Sequence, residues 1–143
     1  MKIDKQREMV YKWERQYVAP HDTTPVSFAN IENIIRYIWS EEGWDYPPMV
    51  ELLPKNCTTI SGDATRTIVR FEETTYSWII IHEISHVLTS THDNRTNKHG
   101  SLFMGMYLHL LSKYLHVNYA TLLWSAVIHG LKVSHKHTPV WSE

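Results

Sequence analysis

His82, Glu83 and His86 stand together as HEISH within the stretch Thr75 to Ser90, TYSWIIIHEISHVLTS. On an α-helix, residues four apart are separated by about 400° of rotation and about 6 Å of rise, so both imidazoles project from one face, one turn apart. Two neutral ring nitrogens so placed can share a Zn²⁺ ion. Glu83 sits about 100° further round, close enough to take a proton from a water on that metal without occupying a coordination position. The chemistry encoded by the spacing is attack of an activated water on a carbonyl, with Glu83 as general base.

The five-residue pattern alone is weak. Ten histidines and ten glutamates among 143 residues would generate an HExxH in about one such chain in 20, so the weight falls on its surroundings. Trp78, Ile79, Ile80, Ile81, Ile84, Val87 and Leu88 make the stretch apolar nearly all round, as in a helix running through the middle of a domain. Three ionisable groups buried there without partners would cost several kcal/mol, and a metal removes that difficulty for the histidines. The alternative is a pair of hydrogen-bonded core histidines.

A catalytic zinc takes three protein ligands and leaves one position for water, so HEISH needs a partner. His92 follows His86 by the spacing of the metzincin motif HExxHxxGxxH, but Thr89 stands where that motif has Gly. The glycine lets the chain turn back to the metal, and a β-branched residue adopts that backbone state reluctantly. Asp93, an oxygen ligand, carries the same handicap. His99 precedes Gly100 and the apolar stretch SLFMGMYLHLLSKYL, and the polar connection THDNRTNKHG gives the chain slack to reverse. His99 is therefore favoured over His92. Tyr107, His109 and Tyr114, on the helix that follows, are candidates to steady an oxyanion.

The elements that must position these groups can be read from periodicity. Val10, Trp13 and Tyr17 predict a helix over Ile3 to Tyr17, and Phe28, Ile31, Ile34, Ile35, Ile38 and Trp39 predict another over Ser27 to Ser40, stopped by Gly43. Between them APHDTTP is a loop, with His21 and Asp22 exposed in it. In EEGWDYPP, also irregular, Trp44 and Tyr46 could line a groove or pin the loop. Strands are expected at Met49 to Leu53, Cys57 to Ile60 and Thr65 to Phe71, with SGDA turning between the last two. Thr74 or Thr75 is the expected N-cap of the HEISH helix. Met104 to Leu115 and Tyr119 to Gly130 complete the helices, Leu131 to Ser134 is a short returning strand, and His135 and His137 lie in a frayed tail.

Composition narrows the function classes. With 43% hydrophobic residues and a formal net charge of −1, the chain can build one core and has no general attraction for nucleic acid or an anionic membrane. Cys57 is the only cysteine, which rules out an internal disulfide framework or a cysteine zinc ribbon. The charged start MKIDKQREMVYKWERQ lacks the apolar run of a signal peptide, and no stretch is long and apolar enough to span a bilayer. The expected location is the cytoplasm.

HEISH, a variable polar loop, then HGSLF and a helix ending LLSKYL resembles the pattern of SprT-like zincins, and more closely that of small HExxH metallohydrolases found in actinobacteria and their phages. DKQREMVYKWER, the strand before the metal helix and LLWSAVIHGLKV are similar to that family as well, so the likeness covers most of the chain. The resemblance implies His82, His86 and His99 as zinc ligands and Glu83 as base. It brings no substrate, and the DNA-targeting parts of SprT-like proteases are not in this sequence.

The expectation is a single α+β, zincin-like domain over residues 1–143, a small antiparallel sheet packed with helices around a central HExxH helix. Its function would be zinc-dependent hydrolysis, as a metallopeptidase acting on a peptide or protein amide, with activity falling towards pH ~6 as the ligand histidines protonate. The alternatives are a non-enzymatic zincin-fold binding protein whose structural zinc is closed by a fourth ligand such as His92 or Asp93, and a metal-free helical interaction protein. Of two single variants, His99→Ala loosens zinc substantially and His92→Ala does not, as read by competition with a chromogenic chelator.

Overall fold

The computed structural model describes residues 4–90 and 98–142, a mixed α+β arrangement of five α-helices and five short strands among those residues. Helix α1 spans Arg7–Tyr17, β1 Pro25–Ser27, α2 Phe28–Glu42, β2 Met49–Leu52, β3 Gly62–Ala64, β4 Ile68–Phe71, β5 Thr74–Tyr76, α3 Ser77–Thr89, α4 Ser101–Leu115 and α5 Tyr119–Ile128. Among these residues no helix is long and apolar enough to cross a membrane.

The amphipathic pattern of α2 turns Ile31, Ile35, Ile38 and Trp39 inward. Its end is set by Gly43, whose φ of 75° lets the Trp44 N–H reach the Trp39 carbonyl at 2.9 Å. That backbone state carries a steric cost for any residue with a Cβ. Helix α3 carries apolar residues on nearly every side and occupies the centre, touching α2, α4, β3, β4 and β5. Ile80, Ile84 and Leu88 are fully buried there, against Phe103, Met104, Leu108 and Leu111 of α4 and Val69 and Phe71 of β4.

The sheet differs from the expectation of an antiparallel one. Its order is β2-β4-β3, with β3 antiparallel to β4 but β2 parallel to it, in the register Met49 to Ile68 and Leu52 to Phe71. A parallel pair needs a long crossover, and the chain from Leu53 to Thr67 supplies it. Cys57 to Ile60 is irregular, because the chain turns earlier, at Pro54, whose carbonyl accepts the Cys57 N–H at 2.9 Å. SGDA is not the turn either. The Thr65 hydroxyl accepts the Ile68 N–H at 3.2 Å while the Thr65 N–H donates to the Ile68 carbonyl at 2.8 Å. This places the reversal at Thr65 to Thr67 and pushes Gly62, Asp63 and Ala64 into the strand.

A separate antiparallel ribbon, β1 with β5, was not expected. Because β1 runs into α2 and β5 into α3, it holds the starts of those two helices side by side. Thr74 and Thr75 lie in this ribbon and do not cap α3. The Trp78 N–H at its first turn donates instead to Asp22 Oδ2 at 2.8 Å, so the APHDTTP loop supplies the cap across 56 residues.

The C-terminal segment forms no strand at Leu131 to Ser134 and is not frayed. The Lys132 N–H donates to Gln6 Oε1 at 2.6 Å and the Ser134 N–H to the Ser101 carbonyl at 2.9 Å. Gly105 of α4 admits this segment, since a Cβ there would stand 2.4 Å from the Ser134 carbonyl oxygen. His137 stacks on His109 with ring centroids 4.7 Å apart, whereas His135 is exposed. Asp22→Ala removes the acceptor from the start of α3 and is expected to cost about 1 kcal/mol in chemical denaturation, with the loss read as a lower midpoint at unchanged slope.

Candidate metal centre

One turn of α3 separates His82 from His86, and both rings point to the side on which α4 begins. His99 precedes α4, and the Gly100 carbonyl takes the Met104 N–H at 3.0 Å to start that helix. The chain thereby brings His99 onto the α3 pair. Nε2 of His86 lies 3.2 Å from Nε2 of His82 and 3.2 Å from Nε2 of His99, and the third side of the triangle is 3.4 Å. A tetrahedral zinc with nitrogens at about 2.05 Å holds them about 3.3 Å apart. Among the described residues these three form the only group of His, Cys, Asp or Glu placed to hold an ion together. His92 and Asp93 lie outside the described residues.

Each ring is oriented from behind. Nδ1 of His82 meets Glu14 Oε2, Nδ1 of His99 meets Asp4 Oδ2 at 2.5 Å, and His86 is hydrogen-bonded to the backbone of Lys98. A carboxylate on Nδ1 keeps the proton there and leaves Nε2 as a lone pair. Phe103, one turn into α4, forms a common floor, stacked on His86 at 4.4 Å and set against His82 and His99 at 5.1 Å. Three lone pairs aimed at one point repel each other, and a cation relieves that repulsion. The donor set therefore fits a divalent metal of the zinc type.

Comparison with family models, curated proteins and solved structures finds no match for this chain. The site rests on its own geometry.

Glu83 opens on the same cleft, which has a volume of about 590 Å³. Strand β3 presses on it from the other side: a Cβ on Gly62 would stand 3.1 Å from Glu83 Cγ and 3.2 Å from Oε2. Burial pushes the Glu83 carboxyl up to about 7, reinforced by Glu14 and Asp63 and opposed by His82. Burial also pushes His86 well below the usual imidazole range, helped by the neighbouring His82 and His99, and lowers His99 despite Asp4. His82 goes the other way. Its burial opposes a charge, but Glu14 outweighs that and raises it.

The residues expected to steady an oxyanion do not face the cleft. Tyr107 is fully buried behind His82 and donates to Glu14 Oε2 at 2.6 Å. His109 and Tyr114 both bond Glu42 at the end of α2, at 2.8 and 3.2 Å, where Lys113 joins them. Trp44 packs on Trp39 and Tyr46 points into solvent, so neither lines the cleft. His21 is exposed as expected, and Asp22 serves the helix start.

The residue that does face the cleft is Tyr11, its ring stacked on His82 at 6.2 Å and edge-on to His99 at 5.3 Å. Asp4, Arg7, Tyr11 and Glu14 recur at intervals of three, four and three, the spacing of one helix face. That polar stripe is a signal carried by the sequence itself, beside the apolar stripe that predicts the helix.

Because burial raises the Glu83 carboxyl, its neutral form is the one the fold favours. The corresponding stability is present below pH ~4.5 and is lost as pH rises through about 7. Replacing Glu83 by its neutral isostere removes the loss. In urea titrations of the metal-free protein, Glu83→Gln should gain on wild type between pH 5 and pH 8.5, by up to ~3 kcal/mol.

Proposed function

We propose that this protein is a zinc-dependent hydrolase of zincin-like architecture that cleaves an amide, most simply a peptide bond. The observation that carries the reading is the triangle of Nε2 atoms with Glu83 on its open side. Among the described residues three ligands stand beside a carboxylate, the set that a hydrolytic zinc uses. The resemblance of HEISH and HGSLF to small HExxH metallohydrolases points the same way.

Zinc at the three imidazoles would supply a Lewis acid and bring the pKa of a water down to about 7. Glu83 then takes the proton of the attacking water and returns it to the departing amine. Burial raises the Glu83 carboxyl in the metal-free site, and the charge of a bound ion would draw it back towards the ionised form that a base needs. Glu14 and Asp4 hold the imidazoles in the tautomer that presents Nε2. Phe103 and Tyr107 keep water from the back of the site, both being buried.

Zinc content after chelation and reconstitution, followed by mass-spectrometric assay on a peptide library, tests this directly. Wild type should hold one equivalent and cleave. Glu83→Gln should keep the metal and lose roughly 100-fold or more in turnover, and His82→Ala should lose the metal. Stoichiometric zinc in His82→Ala, or undiminished cleavage by Glu83→Gln, would reject the assignment.

A further inference from the structure

The charges around the cleft are sorted by depth. Its carboxylates are committed to protein partners or to chemistry: Asp4 to His99, Asp63 to Arg70 at 2.5 and 2.8 Å, and Glu83 to the proton transfer proposed above, while Glu14 is buried behind His82. The cations on its wall are Arg7 and Lys98. Among the described residues, no carboxylate stands within ion-pair distance of either one.

Arg7 is exposed yet held in place. Its guanidinium lies over the Tyr11 ring, 5.5 Å from the centroid. Tyr11 is itself fixed against His82 and His99. The cation therefore stands on a rigid platform that touches two of the three candidate ligands, so little ordering entropy is lost when it engages an anion. Lys98 is exposed and immediately precedes His99, which places a second cation at the same mouth.

Resting on the hydrolase reading above, we infer that Arg7 and Lys98 select substrates carrying a carboxylate next to the scissile amide. The amide lies over the three imidazoles and Glu83, and the carboxylate pairs with the Arg7 fork while Lys98 adds attraction from the rim. The chemical class is an acidic peptide or acyl amino acid, and the carboxylate comes from either an acidic side chain or a free chain end.

The test uses the full-length zinc-loaded chain and compares succinic monohydroxamate with its neutral methyl ester, which shares the metal-binding head, by isothermal titration calorimetry. The carboxylate should tighten binding to wild type by about tenfold at low salt, and by less at 0.5 M. In the double variant Arg7→Gln, Lys98→Gln, with folding checked by circular dichroism and zinc content, the ratio should fall to near one. Two peptide hydroxamates, one with an acidic side chain and amidated end and one with neutral side chains and a free end, separate the two sources: preference for either over a fully neutral peptide supports the inference and names the source. If the ester binds wild type as tightly as the acid, or the ratio survives in the double variant, the inference falls while the metal reading stands. If neither compound binds zinc-loaded wild type, the ion has no position open to a ligand, and the hydrolase reading falls and takes the inference with it.

Discussion

Three imidazole lone pairs converging within 3.4 Å of one another in a buried space are the constraint on which the rest of this molecule depends. Left to themselves the rings would turn away or take up a proton. They are held by partners that can bond only one of the two nitrogens, namely Glu14, Asp4 and the Lys98 backbone. Each of those partners must in turn be fixed. Glu14 is buried in α1 and shared with the Tyr107 hydroxyl, so one carboxylate ties α1, α3 and α4 together. Buried polar networks of this kind are costly when partly satisfied and rigid when complete. Here a cation at the centre would complete it.

The layering around that centre follows from the same requirement. Helix α3 is apolar on nearly every side except where it carries His82, Glu83 and His86, so it can be buried only if other elements bring polar partners to that stripe. Helix α1 does so with one face while its other face puts Val10 and Trp13 into the core. Trp13 then donates its indole N–H to Ser125 at 2.8 Å, linking α5 to the same helix. Strand β3 closes the remaining side, where Gly62 allows the backbone to approach Glu83.

What could be read in the sequence was what is encoded over short distances. The helix at Phe28–Glu42 follows from its apolar spacing and Gly43, and the pairing of His82 with His86 follows from one helical turn. His99 followed from the handicap that Thr89 places on His92 and from the glycine beside it. What escaped was set by contacts between distant segments. Glu14 is 68 residues from His82, Asp4 is 95 from His99 and Asp22 is 56 from Trp78, and no local pattern announces such partners. The parallel pairing of β2 with β4 was missed for a related reason: Pro54 and Thr65 moved the turns, and SGDA, composed like a turn, was drawn into the sheet. The stripe from Asp4 to Glu14 is local, but Val10, Trp13 and Tyr17 account for the helix without it, so periodicity alone does not single it out.

Gln6 has a consequence for how this chain is made. Its amide donates to the His99 carbonyl at 2.8 Å and accepts the Lys132 N–H at 2.6 Å, so a residue from the beginning of the chain secures the third imidazole and is itself secured from near the end. During synthesis His82 and His86 emerge first, and His99 gains its full support only when residue 132 has left the ribosome. Contacts so distant in sequence are the last to form. Until those contacts close, the α3 pair stands without a firmly placed third imidazole, and a site that needs all three rings would be assembled only after the Gln6 contacts to residues 99 and 132 have formed.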